Sequence, residues 1–165
     1  MKFYPGYEYF YPADTNLRPY LELLAKYEKP ALFHSGDTYS KAGQAKLKYA
    51  QAIHIDDLAT ELPSLKIIIA HLGYPWVIDA TEVCYKNKNV YVDCSGFVYG
   101  KFKQKDRINL KETAKEFGKI APPNRILFGS DWPIGDQTSY VKTAKEIFGK
   151  SERLFSKNAE ELFGI

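Results

Sequence analysis

Ile67-Ile68-Ile69-Ala70-His71 is a short apolar run that stops at a side chain able to bind a metal or move a proton. The runs Ala31-Leu32-Phe33-His34 and Ile126-Leu127-Phe128-Gly129-Ser130-Asp131 have the same form. In a parallel (β/α) barrel the strands are packed with apolar side chains, and the chemistry takes place at their carboxyl ends. We therefore interpret all three runs as strands that end at an active site.

Short apolar runs alternate with longer amphipathic stretches along the whole chain, which is the pattern of repeated βα units around a parallel sheet. Five such units can be counted, and no linker separates them, so we expect residues 1–165 to form a single domain. Asp14 or Thr15 is the expected cap of the first helix, and Gly118 is expected to end the fourth. The predicted strands are 2–4, 31–34, 66–70, 90–94 and 125–130.

Five units are too few for a complete barrel, because closure takes eight strands and typically about 250 residues. The predicted fold class is therefore α/β, as part of a TIM-like (β/α) barrel. An open sheet leaves its first and last strands unpaired, and proteins rarely leave such edges bare. We expect a second copy of this chain, or a complementing amino-terminal half, to cover them.

Composition excludes several classes of function. The net charge is only +3, and lysines alternate with glutamates, so nucleic-acid binding is not indicated; the basic segment 101–107 is interpreted as a solvated loop. No apolar stretch approaches the ~20 residues that span a bilayer, and no signal peptide is evident, so we expect a cytoplasmic protein without membrane partners. Cys84 and Cys94 lack metal-binding spacing and are expected to be buried thiols.

The three strand-end residues predict a metal site. Each of His34 and His71 alone could also be a buried, hydrogen-bonded histidine, but the ends of parallel strands lie side by side, so both should converge with Asp131. Two imidazoles and a carboxylate suit zinc and similar divalent ions. Such an ion lowers the pKa of bound water towards ~7, and a nearby carboxylate can accept its proton, which fits hydrolysis or decarboxylation. His54 begins a predicted helix and is assigned a structural role.

Six segments stand in an order that is specific when taken together: Lys2-Phe3-Tyr4-Pro5, Pro30-Ala31-Leu32-Phe33-His34-Ser35-Gly36, Leu62-Pro63-Ser64-Leu65-Lys66 with the run to Gly73, Asn89-Val90-Tyr91-Val92-Asp93, Arg125 to Pro133, and Lys157-Asn158-Ala159-Glu160-Glu161-Leu162-Phe163. They resemble the amidohydrolase superfamily, in particular its amidohydrolase-2 branch of hydrolases, lactonases and non-oxidative decarboxylases. The resemblance implies strands four to eight of that barrel. It makes His34 a metal ligand and Asp131 a metal ligand and catalytic proton shuttle. His71 would be a catalytic residue that orients groups or stabilises an oxyanion, or a second-metal ligand.

One departure from the family is large. Its first strand normally supplies a His-x-His pair, and the three histidines of this chain form none. The divalent metal, expected to be zinc with manganese or iron as alternatives, could therefore be absent. A truncated product, one part of a split enzyme and a self-pairing half-barrel all remain open.

The leading functional hypothesis is a metal-dependent hydrolase of a small ester, amide or lactone, with Asp131 as general base. The alternatives are a decarboxylase with the same metal site and a non-catalytic association module that kept only the half-barrel core. Tyrosine-rich loops at 5–15, 37–43 and 97–106 are expected to line an aromatic or amphipathic pocket.

Overall fold

The structure, a computed structural model, describes residues 1–39, 42–96 and 110–165. Five parallel strands form one sheet in chain order, from β1 at one edge to β5 at the other. The expected partial (β/α) barrel is thereby confirmed: a helix follows each strand, and the sheet does not close. The strands are β1 (Lys2–Phe3), β2 (Ala31–Phe33), β3 (Ile67–Ile69), β4 (Val90–Asp93) and β5 (Ile126–Leu127), and the helices are α1 (Arg18–Lys26), α2 (Ile55–Glu61), α3 (Val77–Lys86), α4 (Leu110–Ile120), α5 (Gln137–Phe148) and α6 (Asn158–Phe163).

The central strand β3 is buried at every position, and β2 and β4 are buried except for the partly exposed Leu32 and Tyr91. Burial on both faces explains why these strands read as continuous apolar runs. The register aligns Phe33 with Ile69, and Ile69 with Val92, in a row that packs in the main core. On the opposite face Ile68 and Leu162 of α6 belong to a second, smaller cluster. The carboxyl-terminal helix therefore packs on part of the face of the sheet that the main core leaves open.

The observed strands are shorter than the predicted ones, mainly at their carboxyl ends. The predicted strand 66–70 is reduced to Ile67–Ile69, and the predicted 125–130 to Ile126–Leu127. The residues after these strands leave the ladder for other partners; the Phe128 amide, for example, donates to the carbonyl of Leu154. The polar residues that end the runs thus lie in turns and not in the strands.

Two predicted helix boundaries were wrong. Gly118 lies inside α4, which continues to Ile120. A Cβ at this position would come 3.1 Å from Cδ1 of Phe148, so the glycine lets α5 pack closely against α4. Asp14 precedes a 3₁₀ turn before α1 but makes no capping bond; its carboxylate accepts from the Tyr11 amide within the loop. Gly118 therefore has a role in helix packing and Asp14 in the loop, and neither marks a helix end.

The predictions for the two cysteines and for membrane-spanning helices can be compared with the fold. Cys84 and Cys94 are free and buried, as expected. The helices of the described ranges include none with the length and apolar character needed to cross a bilayer.

A buried arginine joins the layers behind the sheet. Nη1 of Arg125 donates to the carbonyl oxygens of Cys84, Asn87 and Val90, so one side chain links the end of α3, the start of β4 and the start of β5. Hydrogen bonds from a charged donor are stronger than neutral ones, and Arg125 makes three of them in a place where the chain turns between elements. It therefore helps to fix the position of β5.

We expect Arg125→Met to lower the free energy of unfolding by about 3 kcal/mol, because it removes the buried, charged donor that links these three carbonyls. The measurement is urea unfolding followed by circular dichroism. The control is Arg18→Met, since Arg18 makes exposed ion pairs with Glu22 and Glu61, and its loss should cost less than about 1 kcal/mol. Equal losses in the two variants would contradict the assigned role of Arg125.

Candidate active site

The structure places two of the three predicted site residues in contact. His34 directly follows β2 and His71 lies two residues beyond β3, and their ring centroids are 5.1 Å apart in an edge-to-face arrangement. Both side chains are buried, at 6% and 8% exposure. Asp131 lies four residues beyond β5 and is partly exposed. The convergence expected from neighbouring strand ends is therefore seen directly for the histidine pair.

A complete ligand group is not assembled by the residues that the structure describes. Within 1–39, 42–96 and 110–165, no three His, Cys, Asp or Glu side chains are close enough together to hold a metal ion. The carboxylate of Asp131 makes no hydrogen bond or ion pair there. The ligand set of His34, His71 and Asp131 thus stays a prediction, with the two imidazoles as its assembled part. The predicted loop 97–106 and the basic segment 101–107 lie outside the described residues.

The turns that carry these residues have unusual backbone conformations. His71 and Leu72 have φ values of 62° and 54°, and Asp131 has a φ of 56°. Non-glycine residues in this left-handed region cost of order 1–3 kcal/mol and tend to occur at functional sites. Gly36, after His34, has a φ of 99°, and a Cβ there would lie 2.0 Å from the Tyr74 carbonyl oxygen. The backbone is therefore strained after β3 and β5, whereas after β2 a glycine adopts the left-handed conformation without that cost.

His34 is an uncharged imidazole that packs against two tyrosine rings. The Tyr7 ring lies edge-on at 5.0 Å and the Tyr4 ring lies nearly parallel at 6.4 Å, measured between centroids. Burial, the neighbouring His71 and the charge of Lys2 lower the pKa of His34 from 6.5 to about 3, against a weaker opposing hydrogen bond with the Asp37 backbone. The His34 imidazole is therefore neutral near pH 7.

His71 is held by two residues of the next strand end. Its Nδ1 lies 2.8 Å from Oγ of Ser95, and the Ser95 hydroxyl donates to Oδ1 of Asp93. The same Oδ1 accepts from the backbone amides of His71, at 3.1 Å, and of Ser95, at 2.8 Å. Sequence reasoning gave Asp93 and Ser95 no role, although the polar pair at the end of a β-forming run was a visible signal.

Two glycines make room for this network. A Cβ on Gly96 would lie 2.6 Å from Nδ1 of His71, and one on Gly129 would lie 3.2 Å from Cβ of Ser95. Contacts below 3.0 Å are not tolerated by real side chains, so Gly96 in particular lets the backbone pack against the imidazole. The position of the His71 ring is therefore set from two sides.

The residues that are present fit a divalent cation in part. Nε2 of His34 is buried and has no hydrogen-bond partner, and buried polar atoms are rarely left so. A neutral imidazole has a lone pair on one of its two nitrogens, which is how histidine binds metals. An orphaned nitrogen beside a second imidazole therefore agrees with a metal-binding role for His34.

Comparison with known proteins extends this description. A family model described as Amidohydrolase (Amidohydro_2) matches residues 1–165. No curated protein matches the sequence. Among solved structures, an uncharacterized TIM-barrel protein from Bordetella bronchiseptica has a TM-score of 0.74 at 22% identity, over 99% of this chain and 57% of its own.

Two similar structures contain a metal. An amidohydrolase from Burkholderia multivorans with bound zinc has a TM-score of 0.66 at 16% identity, over 92% of this chain and 58% of its own. A dihydroxybenzoic acid decarboxylase from Polaromonas sp. with bound manganese and the inhibitor 2-nitroresorcinol has a TM-score of 0.61 at 20% identity, over 94% and 55%. At these identities the likeness is one of fold, and this chain spans little more than half the length of each structure.

We expect His34 to make the metal-free protein less stable in acid. The unfolded chain protonates this residue near pH 6.5, and the folded protein only near pH 3. Between these values the unfolded state binds more protons, so the free energy of unfolding falls as the pH falls through this window. His34→Gln removes this contribution, so its stability relative to wild type should improve steadily from pH 7 to pH 4.

The measurement is urea unfolding at several pH values in the presence of a chelator. His54→Gln is the matched control, because His54 lies outside the pair and contacts the Lys48 carbonyl and the Tyr11 ring. Parallel stability curves for wild type and His34→Gln would show that burial does not suppress protonation of His34.

Proposed function

This chain belongs to the amidohydrolase family, whose model matches residues 1–165, and on that premise we propose that it is the catalytic carboxyl-terminal part of a metal-dependent hydrolase. The substrate class is a small ester, amide or lactone. The observation that carries the proposal is the orphaned Nε2 of buried, neutral His34 beside His71 at the strand ends. Further residues that complete the site would come from a second copy of the chain or from a complementing half that pairs with the sheet edges.

His34, His71 and Asp131 are the residues of this chain that would hold the metal. A divalent ion supplies a water of lowered pKa and polarises the substrate carbonyl. Zinc and manganese, bound in the two structures of similar fold, are the ions we propose, and nitrogen and oxygen donors suit both. His34 contributes a neutral nitrogen that needs no deprotonation, and His71 contributes a ring held in place by Ser95.

Asp131 is the proposed general base. Its carboxylate is partly exposed and has no hydrogen bond or ion pair within the described ranges, so it is available to accept a proton from attacking water. Its left-handed backbone, with φ at 56°, is the kind of local strain found at functional positions. Tyr4 and Tyr7 beside His34 provide aromatic surface on which a planar substrate can pack.

Decarboxylation ranks second, because the described arginines are engaged elsewhere. Arg125 is buried against backbone carbonyls, Arg18 pairs with Glu61 and Arg153 pairs with Glu161. A decarboxylase needs a group that binds the substrate carboxylate, and among the described residues Lys2, whose charge acts on His34, is a candidate for it.

The first test is the metal content of the purified chain, measured by elemental mass spectrometry after gel filtration in zinc or manganese. We expect bound metal to fall at least tenfold in His34→Gln, because the variant removes a ligand. His54→Gln, which alters a histidine outside the site, should keep the wild-type content. Unchanged metal in His34→Gln would exclude His34 as a ligand, and a chain that keeps its oligomer size but never binds metal would be the association module.

The second test is hydrolysis of aryl esters and lactones by the metal-loaded protein. We expect Asp131→Asn to lower kcat by about 10²–10⁴-fold with little change in KM, because the amide cannot accept a proton. Asp79 is a partly buried carboxylate of α3 that is not among the proposed site residues, so Asp79→Asn is the control. Equal rates for wild type and Asp131→Asn would rule out Asp131 as the base.

A further inference from the structure

We propose that Asp93 and Ser95 fix neutral His71 as the tautomer protonated on Nδ1, so that Nε2 is a bare acceptor. A neutral imidazole carries one proton, on either nitrogen, and the hydrogen bond made by one nitrogen decides the state of the other. The two tautomers have opposite chemistry at Nε2: one donates a hydrogen bond, and the other accepts a proton or binds a metal. The assignment follows from the direction of each hydrogen bond around the ring.

The direction is set at Oδ1 of Asp93. This oxygen accepts from two backbone amides, His71 N at 3.1 Å and Ser95 N at 2.8 Å. A backbone N–H can only donate, so Oδ1 must act as an acceptor and carries no proton. Asp93 is 9% exposed, and burial strengthens these bonds.

The hydroxyl of Ser95 transmits this direction to the ring. Its oxygen lies in close contact with Oδ1 of Asp93, and because Oδ1 has no proton to give, the single O–H of Ser95 must donate to it. Oγ of Ser95 then has only lone pairs for Nδ1 of His71, at 2.8 Å. The contact is a hydrogen bond only if Nδ1 carries the proton, so neutral His71 has its lone pair on Nε2.

The packing around the ring leaves no easy alternative. Gly96 approaches Nδ1 so closely that a Cβ there would lie 2.6 Å away, and Gly129 lies against Ser95 on the other side. The His71 backbone is itself anchored by its amide bond to Asp93. A ring that turned away from Ser95 would lose this hydrogen bond, so Asp93 and Ser95 act as positioning residues.

The consequence for chemistry rests on the proposed function, whereas the proton assignment does not. In the site described above, a bare Nε2 makes His71 a metal ligand or a proton acceptor. It excludes a role in which neutral His71 donates a hydrogen bond from Nε2 to a developing oxyanion. The sequence had left these roles open for His71.

The test is nuclear magnetic resonance of the metal-free protein labelled with ¹⁵N-histidine, using long-range ¹H–¹⁵N correlations. The chain has three histidines, and His34→Gln and His54→Gln each remove one pattern, so the spectrum of His71 is assigned directly. At a pH about two units above the ordinary histidine pKa of about 6.5, we expect a protonated Nδ1 and an unprotonated Nε2 on His71.

Ser95→Ala removes the acceptor, and we expect the ratio of the Nδ1–H to the Nε2–H form of His71 to fall roughly tenfold, the effect of losing one ordinary hydrogen bond. Ser35→Ala is the matched control: Ser35 is also a buried serine after a strand, but its hydroxyl donates to the Phe33 carbonyl. It should leave His71 unchanged. Backbone amide spectra report whether each variant is folded.

A dominant Nε2–H form in the wild type would overturn the proposal, and so would an unchanged tautomer in folded Ser95→Ala. If Ser95→Ala does not fold, the wild-type spectrum still decides, and Ser95→Thr, which keeps the hydroxyl, should preserve the Nδ1–H form. The experiment uses neither metal nor substrate. Its failure is therefore distinct from a failure of the metal-binding and hydrolysis assays, which test the proposed function.

Discussion

The parallel register of the sheet is the constraint on which the candidate site depends. Pairing of Phe33 with Ile69 and of Ile69 with Val92 brings the residues that follow these positions together at the carboxyl ends of the strands. His34, His71 and Asp93 are all within two residues of this row. Because a shift of one residue would turn every side chain to the other face, the apolar packing that fixes the register also fixes which polar groups meet.

The parts of the structure that sequence could predict are those controlled by local pattern. The apolar runs gave all five strands, since strands buried on both faces need no polar alternation, and each histidine that stopped a run does lie at a strand end. The network around His71 could not be predicted from local pattern. The contact between Ser95 and the His71 ring depends on the left-handed backbone at His71 and on the pairing of β3 with β4. The predicted helix end at Gly118 was wrong for a similar reason, since the role of this glycine depends on Phe148 of another helix.

The electrostatic character of the site follows from what its buried groups can offer. His34 presents a buried Nε2 without a hydrogen-bond partner, on an imidazole that stays uncharged at neutral pH. Close by, the Asp93 carboxylate already receives three donors and so stabilises the His71 turn instead of facing a ligand. A buried nitrogen lone pair that has no donor can be satisfied by a cation or by a ligand that donates a hydrogen bond.

The strain at the strand ends requires rigid support from the rest of the fold. His71, Leu72 and Asp131 all have left-handed backbones, at a cost of order 1–3 kcal/mol each, in a domain whose total stability is expected to be about 5–15 kcal/mol. Such conformations persist only if neighbouring segments cannot relax. Arg125 supplies that rigidity for β5 behind the sheet, and fully buried Asn158 adds to it by donating to the carbonyls of Pro123 and Ile126. The carboxyl-terminal helix therefore holds the amino end of β5, the strand whose other end leads into the Asp131 turn.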